Sequence, residues 1–255
     1  MNLLISLRSE LLKTRRTASF YLTLIGAAVG PTLFLFNVSL DEDELNGTTQ
    51  DPLNAVFKIL SEMNGVALFP LFIILICTLL PQIEYRNNTW KQVFTSPQTK
   101  ANVFLAKFTN VHLLMLIFLI ATHLFMFLTI VAINFIKPNL DLFKHPFNES
   151  IVIVNAANAY LIMLAVCAIQ FWIGLRFRNF IAPIGIGLAL WLIGTIMAIQ
   201  INSSLVNYFP YSFQAYFVSP KLKPQLTQIA WTSLGYALLF LIIGFFDFRR
   251  RTVSK

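Results

Sequence analysis

Six runs of about twenty apolar residues constrain this chain more than anything else in it. A helix rises about 1.5 Å per residue, so roughly twenty residues cross a hydrocarbon layer about 30 Å thick. Inside lipid every backbone N–H and C=O needs an internal partner, which makes helices the fitting form for such runs. The runs cover residues 19–38, 65–83, 111–136, 151–175, 180–201 and 225–246, and none holds Asp, Glu, Lys or Arg. The chain is 57% hydrophobic and 12% charged, where a soluble domain carries about 25% charged residues. The expected fold is an all-α membrane protein with six transmembrane helices in one domain, residues 19–248.

Orientation follows from charge. Six spans put both ends of the chain on one side, with segments 1–18, 84–110, 176–179 and 247–255. Those segments hold 14 Lys and Arg, against 5 on the other side. The basic side is expected to be cytoplasmic. The net charge of +8 thus reads as an orientation signal and a contact with anionic lipid, and no nucleic acid is needed to explain it. Residues 1–18 read as an uncleaved amphipathic helix lying on the membrane surface, with Leu3, Leu4, Leu7 and Leu11 on one face and Ser9, Lys13 and Arg16 opposite. Residues 249–255 form a basic tail. The segment 39–62 reads as a polar loop with an acidic cluster, Asp41–Glu44, and 202–224 as an aromatic connector.

The stretch 84–107, EYRNNTWKQVFTSPQTKANVFLAK, is the main polar interruption on the basic side. Trp90, Val93 and Phe94 fall at i, i+3 and i+4, one face of a short helix. Asn88 or Thr89 is placed to cap its start. Ser96 and Pro97 read as the cap and first position of the next helix, since proline lacks only an N–H that is unpaired there anyway. The pattern predicts an amphipathic corner offering an apolar knob to another protein; the alternative is that Trp90 and Phe94 are interfacial anchors.

Catalytic chemistry is not apparent. The sequence has no GxxxxGK(S/T) phosphate loop, no HExxH, no GxSxG and no paired carboxylates at membrane depth. Cys77 and Cys167 lie in apolar runs without ligand spacing, so neither a metal site nor a disulfide is expected. An enzyme is not the expected reading. Energy for uphill transport would come from outside the chain.

Polar residues do occur within the spans. His112, His123 and Asn134 recur every eleven residues on one face of the third span, and Asn155 and Asn158 sit at i, i+3 in the fourth. They either line a path or bond neighbouring helices. Gly26 and Gly30, and Gly194 and Ala198, have the small-xxx-small spacing that lets helices approach closely. These pairs form either a seam between two copies or packing within one. Pro31, Pro70 and Pro81 mark bends.

Two stretches carry a family resemblance. Ser9-Glu-Leu-Leu-Lys13-Thr-Arg-Arg16 runs directly into a span, and Glu84…Asn88-Thr89-Trp90-Lys91…Pro97…Lys107 follows the second span. Both resemble small permease subunits of bacterial type-2 ABC exporters, among them lantibiotic-immunity, bacitracin-resistance and sodium-extrusion permeases. The resemblance implies two permeases, identical or homologous, and two separate ATPase subunits that bind ATP and Mg in the inner membrane. It implies that Glu84, Trp90, Val93, Phe94 and Pro97 couple to the ATPase, that the first helix braces the second element, and that 202–224 is an external re-entrant element. This sequence lacks the large external domain of the sterol and drug half-transporters, so the cargo does not transfer from them. Two other functions fit the composition: a non-transporting anchor of an envelope or gliding machinery, and a sodium-coupled carrier.

Overall fold

A computed structural model describes residues 3–40, 51–144, 146–201 and 204–251. Among them every regular element is helical. The helices are α1 (Leu3–Thr14), α2 (Ala18–Leu40), α3 (Pro52–Met63), α4 (Phe69–Arg86), α5 (Trp90–Thr95), α6 (Lys100–Ile136), α7 (Glu149–Ile162), α8 (Leu164–Arg176), α9 (Ile181–Ile196) and α10 (Leu226–Arg250). Among the described residues five helical stretches are long and apolar enough to cross a membrane, and α7 and α8, bent by 41° at their junction, meet the same test only when taken together. α2 packs on α6, α4 on α8, and α8 on α10, while α1 lies against the start of α6. Phe72 and Phe118 stack at 4.2 Å near the centre of the core.

The second span is longer than the sequence indicated. Where a polar loop was expected at 39–62, residues 52–63 are helical, capped by the Asp51 side chain on the Asn54 N–H. That helix continues through a π-helical turn, Asn64–Leu68, into α4, giving one rod from Pro52 to Arg86. Leu53, Val56, Phe57 and Leu60 are buried along one face, a helical period that a loop reading overlooked because Asn54, Lys58 and Glu62 are interleaved with it. Residues Asp41–Glu44 lie outside the described residues.

Prolines within helices free the carbonyl four residues earlier, and the fold treats the freed groups differently. Pro70 leaves the Val66 carbonyl without its helical donor, and the Trp191 indole N–H donates to it at 3.1 Å. Pro81 frees the Cys77 carbonyl, against which Gly174 packs so closely that an added Cβ would lie 2.2 Å from that oxygen. The break between α7 and α8 at Met163 is met by a side chain. Ser233 of α10 donates to the carbonyls of Leu161 and Ile162 at 2.9 and 3.1 Å, and accepts from the Ala165 N–H at 3.1 Å.

The aromatic connector folds back into the bundle. Pro210–Phe217 forms a 3-10 segment with Phe213 fully buried. The Tyr211 hydroxyl donates to Gln170 Oε1 at 3.0 Å, and Gln170 Nε2 donates to the Pro183 carbonyl at 2.7 Å. The connector's backbone crosses directly over Gly194, whose added Cβ would sit 2.0 Å from the Tyr211 carbonyl oxygen.

Candidate functional site

The face carrying α1, α5 and the end of α10 holds a buried, charge-neutral quartet of two acids and two lysines. Lys107 Nζ lies 2.6 Å from Glu84 Oε1 and 2.8 Å from Glu10 Oε2. Lys13 Nζ lies 2.8 Å from Glu10 Oε1 and 3.2 Å from Glu84 Oε1. The side chains of Lys107 and Glu84 are 2% and 1% exposed. Three helices are joined here: α1 supplies Glu10 and Lys13, α4 supplies Glu84, and α6 supplies Lys107. Burial by itself raises the Glu10 pKa, but the charges of Lys107 and Lys13 outweigh it and hold the carboxyl below its ordinary value. Burial by itself lowers Lys13, yet Glu10 and Glu84 leave it above its ordinary value.

The quartet explains how α1 sits. Its buried residues are Ser6, Glu10 and Thr14, a polar stripe at i, i+4, i+8. Thr14 Oγ1 also accepts from Asn110 Nδ2 at 2.7 Å. Leu3, Leu4, Leu11 and Leu12 point outward and are exposed. A surface helix on a soluble protein buries the reverse face; here the leucines face outward and the polar stripe binds the bundle.

α5 is held by its apolar face. Trp90 stacks on Phe94 with ring centroids 5.5 Å apart, and lies 5.3 Å from Tyr85 and 6.0 Å from Phe248. Phe94 lies 5.6 Å from Phe248. Lys107 Nζ stands 5.5 Å from the Trp90 ring centroid and Lys100 Nζ 5.3 Å from that of Phe94, both within cation–π range. Trp90, Val93 and Phe94 are therefore half-buried against the body of the chain. They do not project as a knob; Lys91, Gln92 and Thr95 form the exposed side. The cap of α5 falls at an expected position, and that of the next helix does not. Thr89 holds the cap position of α5 without a side-chain bond. Asn88 turns the chain with φ 53°, a left-handed conformation that asparagine tolerates. Ser96 ends α5 and donates to the Val93 carbonyl at 2.7 Å, and the next helix is capped by Thr99, which accepts from the Asn102 N–H at 3.2 Å. Pro97 is exposed between them. Between α1 and α5 runs a groove of about 300 Å³ bordered by Ser9, Lys13, Asn87, Gln92 and Gln98, with Glu84 at its floor.

The remaining candidate residues separate into several environments. His112 bonds the Tyr160 hydroxyl at 2.7 Å, tying α6 to α7. His123 Nδ1 lies 2.7 Å from the Leu119 carbonyl of its own helix. His123 and Asn155 border one small cavity, from which Asn134 and Asn158 are absent. Gly30 packs against Leu68 and Met63, Gly194 against Tyr211, and Ala198 against the core, all within the chain. Gly26 is half-buried with Phe118 at contact distance. Three of the four small residues read as a seam between copies are thus engaged in internal packing.

Glu10, Lys13 and Lys107 were not singled out together from sequence, where the lysines served as orientation charges. The available signal was the scarcity of acid: the basic side has three acidic residues, Glu10, Glu84 and Asp247. Each is paired, since Asp247 meets Arg251 at 3.1 Å. Arg251 in turn donates to the Tyr85 hydroxyl at 3.1 Å and the Leu175 carbonyl at 2.5 Å, fastening the end of α10 to α4 and α8.

The model of the family described as ABC-2 family transporter protein matches residues 6–194, from α1 to the last turn of α9. No curated protein matches the chain.

Proposed function

The chain belongs to the ABC-2 family of transporter proteins, and on that premise we propose that it is the membrane subunit of a bacterial ATP-driven exporter, joined at its cytoplasmic face to a separate ATPase. The observation that carries this reading is the buried quartet beneath α5. A docking element that is to move a membrane domain needs a rigid attachment to several spans at once. α5 rests through Trp90 on Lys107, and Lys107 is bound to α4 and α1 as well as its own helix. A push on α5 is delivered to α1, α4 and α6 as one body.

In this reading the docking surface is the exposed side of α5, Lys91, Gln92 and Thr95, with the groove beside α1, while Trp90, Val93 and Phe94 transmit. Pro97 fixes the corner after α5. ATP and Mg are bound by the partner; the sequence supplies no phosphate loop for them. A second permease copy completes the path, meeting this one on the outward apolar face of α2, where Ile25, Leu33 and Phe36 are 64%, 59% and 65% exposed.

The test is affinity purification of the tagged chain co-expressed with the products of its neighbouring genes. A P-loop ATPase is expected to co-purify, and Lys91→Glu with Thr95→Asp to release it while the membrane domain stays folded. Absence of any such ATPase, or full transport by the double variant, would overturn the proposal.

A further inference from the structure

On the side opposite α1, two adjoining cavities form a vestibule that takes in two of the polar span residues, His123 and Asn155. The outer one is about 320 Å³ and opens between α3, α7 and the aromatic connector. The inner one, about 10 Å³, has room for a single water-sized group. Ser61, Asn155 and Phe217 border both. Asn64 precedes Glu84 by twenty residues on one rod, about 30 Å at the rise of a helix, which sets the vestibule at the far edge of the hydrocarbon layer.

The inner end is walled mainly by apolar side chains, among which Asn64 and His123 each offer an acceptor. Asn64 is 4% exposed, and its Oδ1 is buried without a hydrogen-bond partner. It opens the π-helical turn Asn64–Leu68, a local widening often found at binding sites. His123 Nδ1 faces a carbonyl oxygen, which can only accept, so Nδ1 carries the proton and Nε2 is left as the ring's acceptor. The rim is cationic on balance: Lys58 and Lys223 stand there with Glu62, and Glu62 lies 3.8 Å from Lys223. An unpartnered buried acceptor is costly until a donor reaches it.

We propose that this vestibule binds a small zwitterion with a primary ammonium group, the ammonium directed inward to Asn64 Oδ1 and His123 Nε2 and the acidic group outward to Lys58. A quaternary ammonium has no N–H to give and is excluded. The site stands independently of how α5 engages an ATPase.

The experiment uses the full chain in lipid nanodiscs with triglycine as the probe, read by thermal shift and calorimetric titration. N-acetyltriglycine lacks the ammonium and triglycine amide lacks the carboxylate. Triglycine is expected to bind, with a loss of about tenfold or more on acetylation, since a charge-assisted hydrogen bond is removed. The amide and Lys58→Gln each weaken binding by a smaller factor. Asn64→Leu abolishes it, and Asn64→Asp, which keeps the acceptor and adds charge, tightens it. A misfolded variant does not tighten binding, so the Asp substitution separates site from scaffold. Equal binding of N-acetyltriglycine, undiminished binding by Asn64→Leu, or no binding of triglycine to the unaltered protein overturns the proposal.

Discussion

Replacing Lys107 with Met isolates what the buried quartet contributes. Lys107 is the deeply buried cation of the quartet and contacts both acids closely, 2.6 Å to Glu84 and 2.8 Å to Glu10. Its removal leaves Glu84, 1% exposed, and Glu10 sharing Lys13, whose side chain is 35% exposed. Two carboxylates then face one partly solvated cation, and the net charge of the cluster falls from zero to minus one. Breaking a buried pair from one side costs about 3–5 kcal/mol, because the stranded charge pays the desolvation penalty. The Met side chain recovers some packing, so a loss of about 3 kcal/mol is expected. Glu84→Gln in the same background removes the stranded charge. The double variant should lose about 2 kcal/mol less than the sum of the single losses. The assay is reversible unfolding in mixed micelles, with cysteine labelling of α1 to report its release. The expected signature is α1 exposure before global unfolding. A loss below about 1 kcal/mol for Lys107→Met, or strict additivity in the cycle, would refute the reasoning, since either means the quartet behaves as a solvated surface pair.

Three further outcomes follow from the same geometry. Ser233→Ala leaves the broken turn at Met163 without its bridging hydroxyl and is expected to cost about 1–3 kcal/mol, measured by thermal unfolding, whereas Ser233→Thr retains most of it. Gly194→Ala places a Cβ 2.0 Å from the Tyr211 carbonyl oxygen and should displace the re-entrant connector, while Gly185→Ala, with nothing within 4 Å, should be silent; proteolysis at 204–217 tells them apart. Attachment of α1 should depend on pH at both ends. Glu10 is lowered from 4.5, so its contribution is present above 4.5 and fades as pH falls through the folded value below it. Lys13 is raised from 10.5, so its contribution is present below 10.5 and fades as pH rises through the folded value above it. Hydrogen exchange of α1 should accelerate at both extremes and remain protected between them.

Apolar run length made the helical class and the spans legible, because bilayer thickness acts on composition alone. What it hid was detail decided by partners. The helix at 52–63 was read as loop because its polar residues line a vestibule, and polarity facing a cavity resembles polarity facing water. Trp90 and Phe94 were correctly placed on one face, but spacing does not say which way a face turns; Phe248, 154 residues beyond Phe94 in sequence, decides it. The quartet was invisible for the same reason. Glu10 and Lys107 are 97 residues apart, and nothing local distinguishes a lysine that orients a span from one that is buried. The glycine pairs had the spacing of helix contacts, and three of the four small residues found those contacts within the same chain.

The rod from Pro52 to Arg86 is 35 residues long, about 50 Å at helical rise. It borders the small inner cavity toward one end and ends beside the quartet at the other. Cys77, packed on Gly174, stands about 38 Å from the Pro52 end and about 14 Å from the Arg86 end at helical rise, so a tilt of the rod by about 5° there swings the two ends by about 3 Å and about 1 Å. Pivoting near Gly174, where backbone meets backbone, it would open one mouth of the bundle as it narrows the other. In the proposed exporter, alternation of access then requires no bending of the span, only a see-saw.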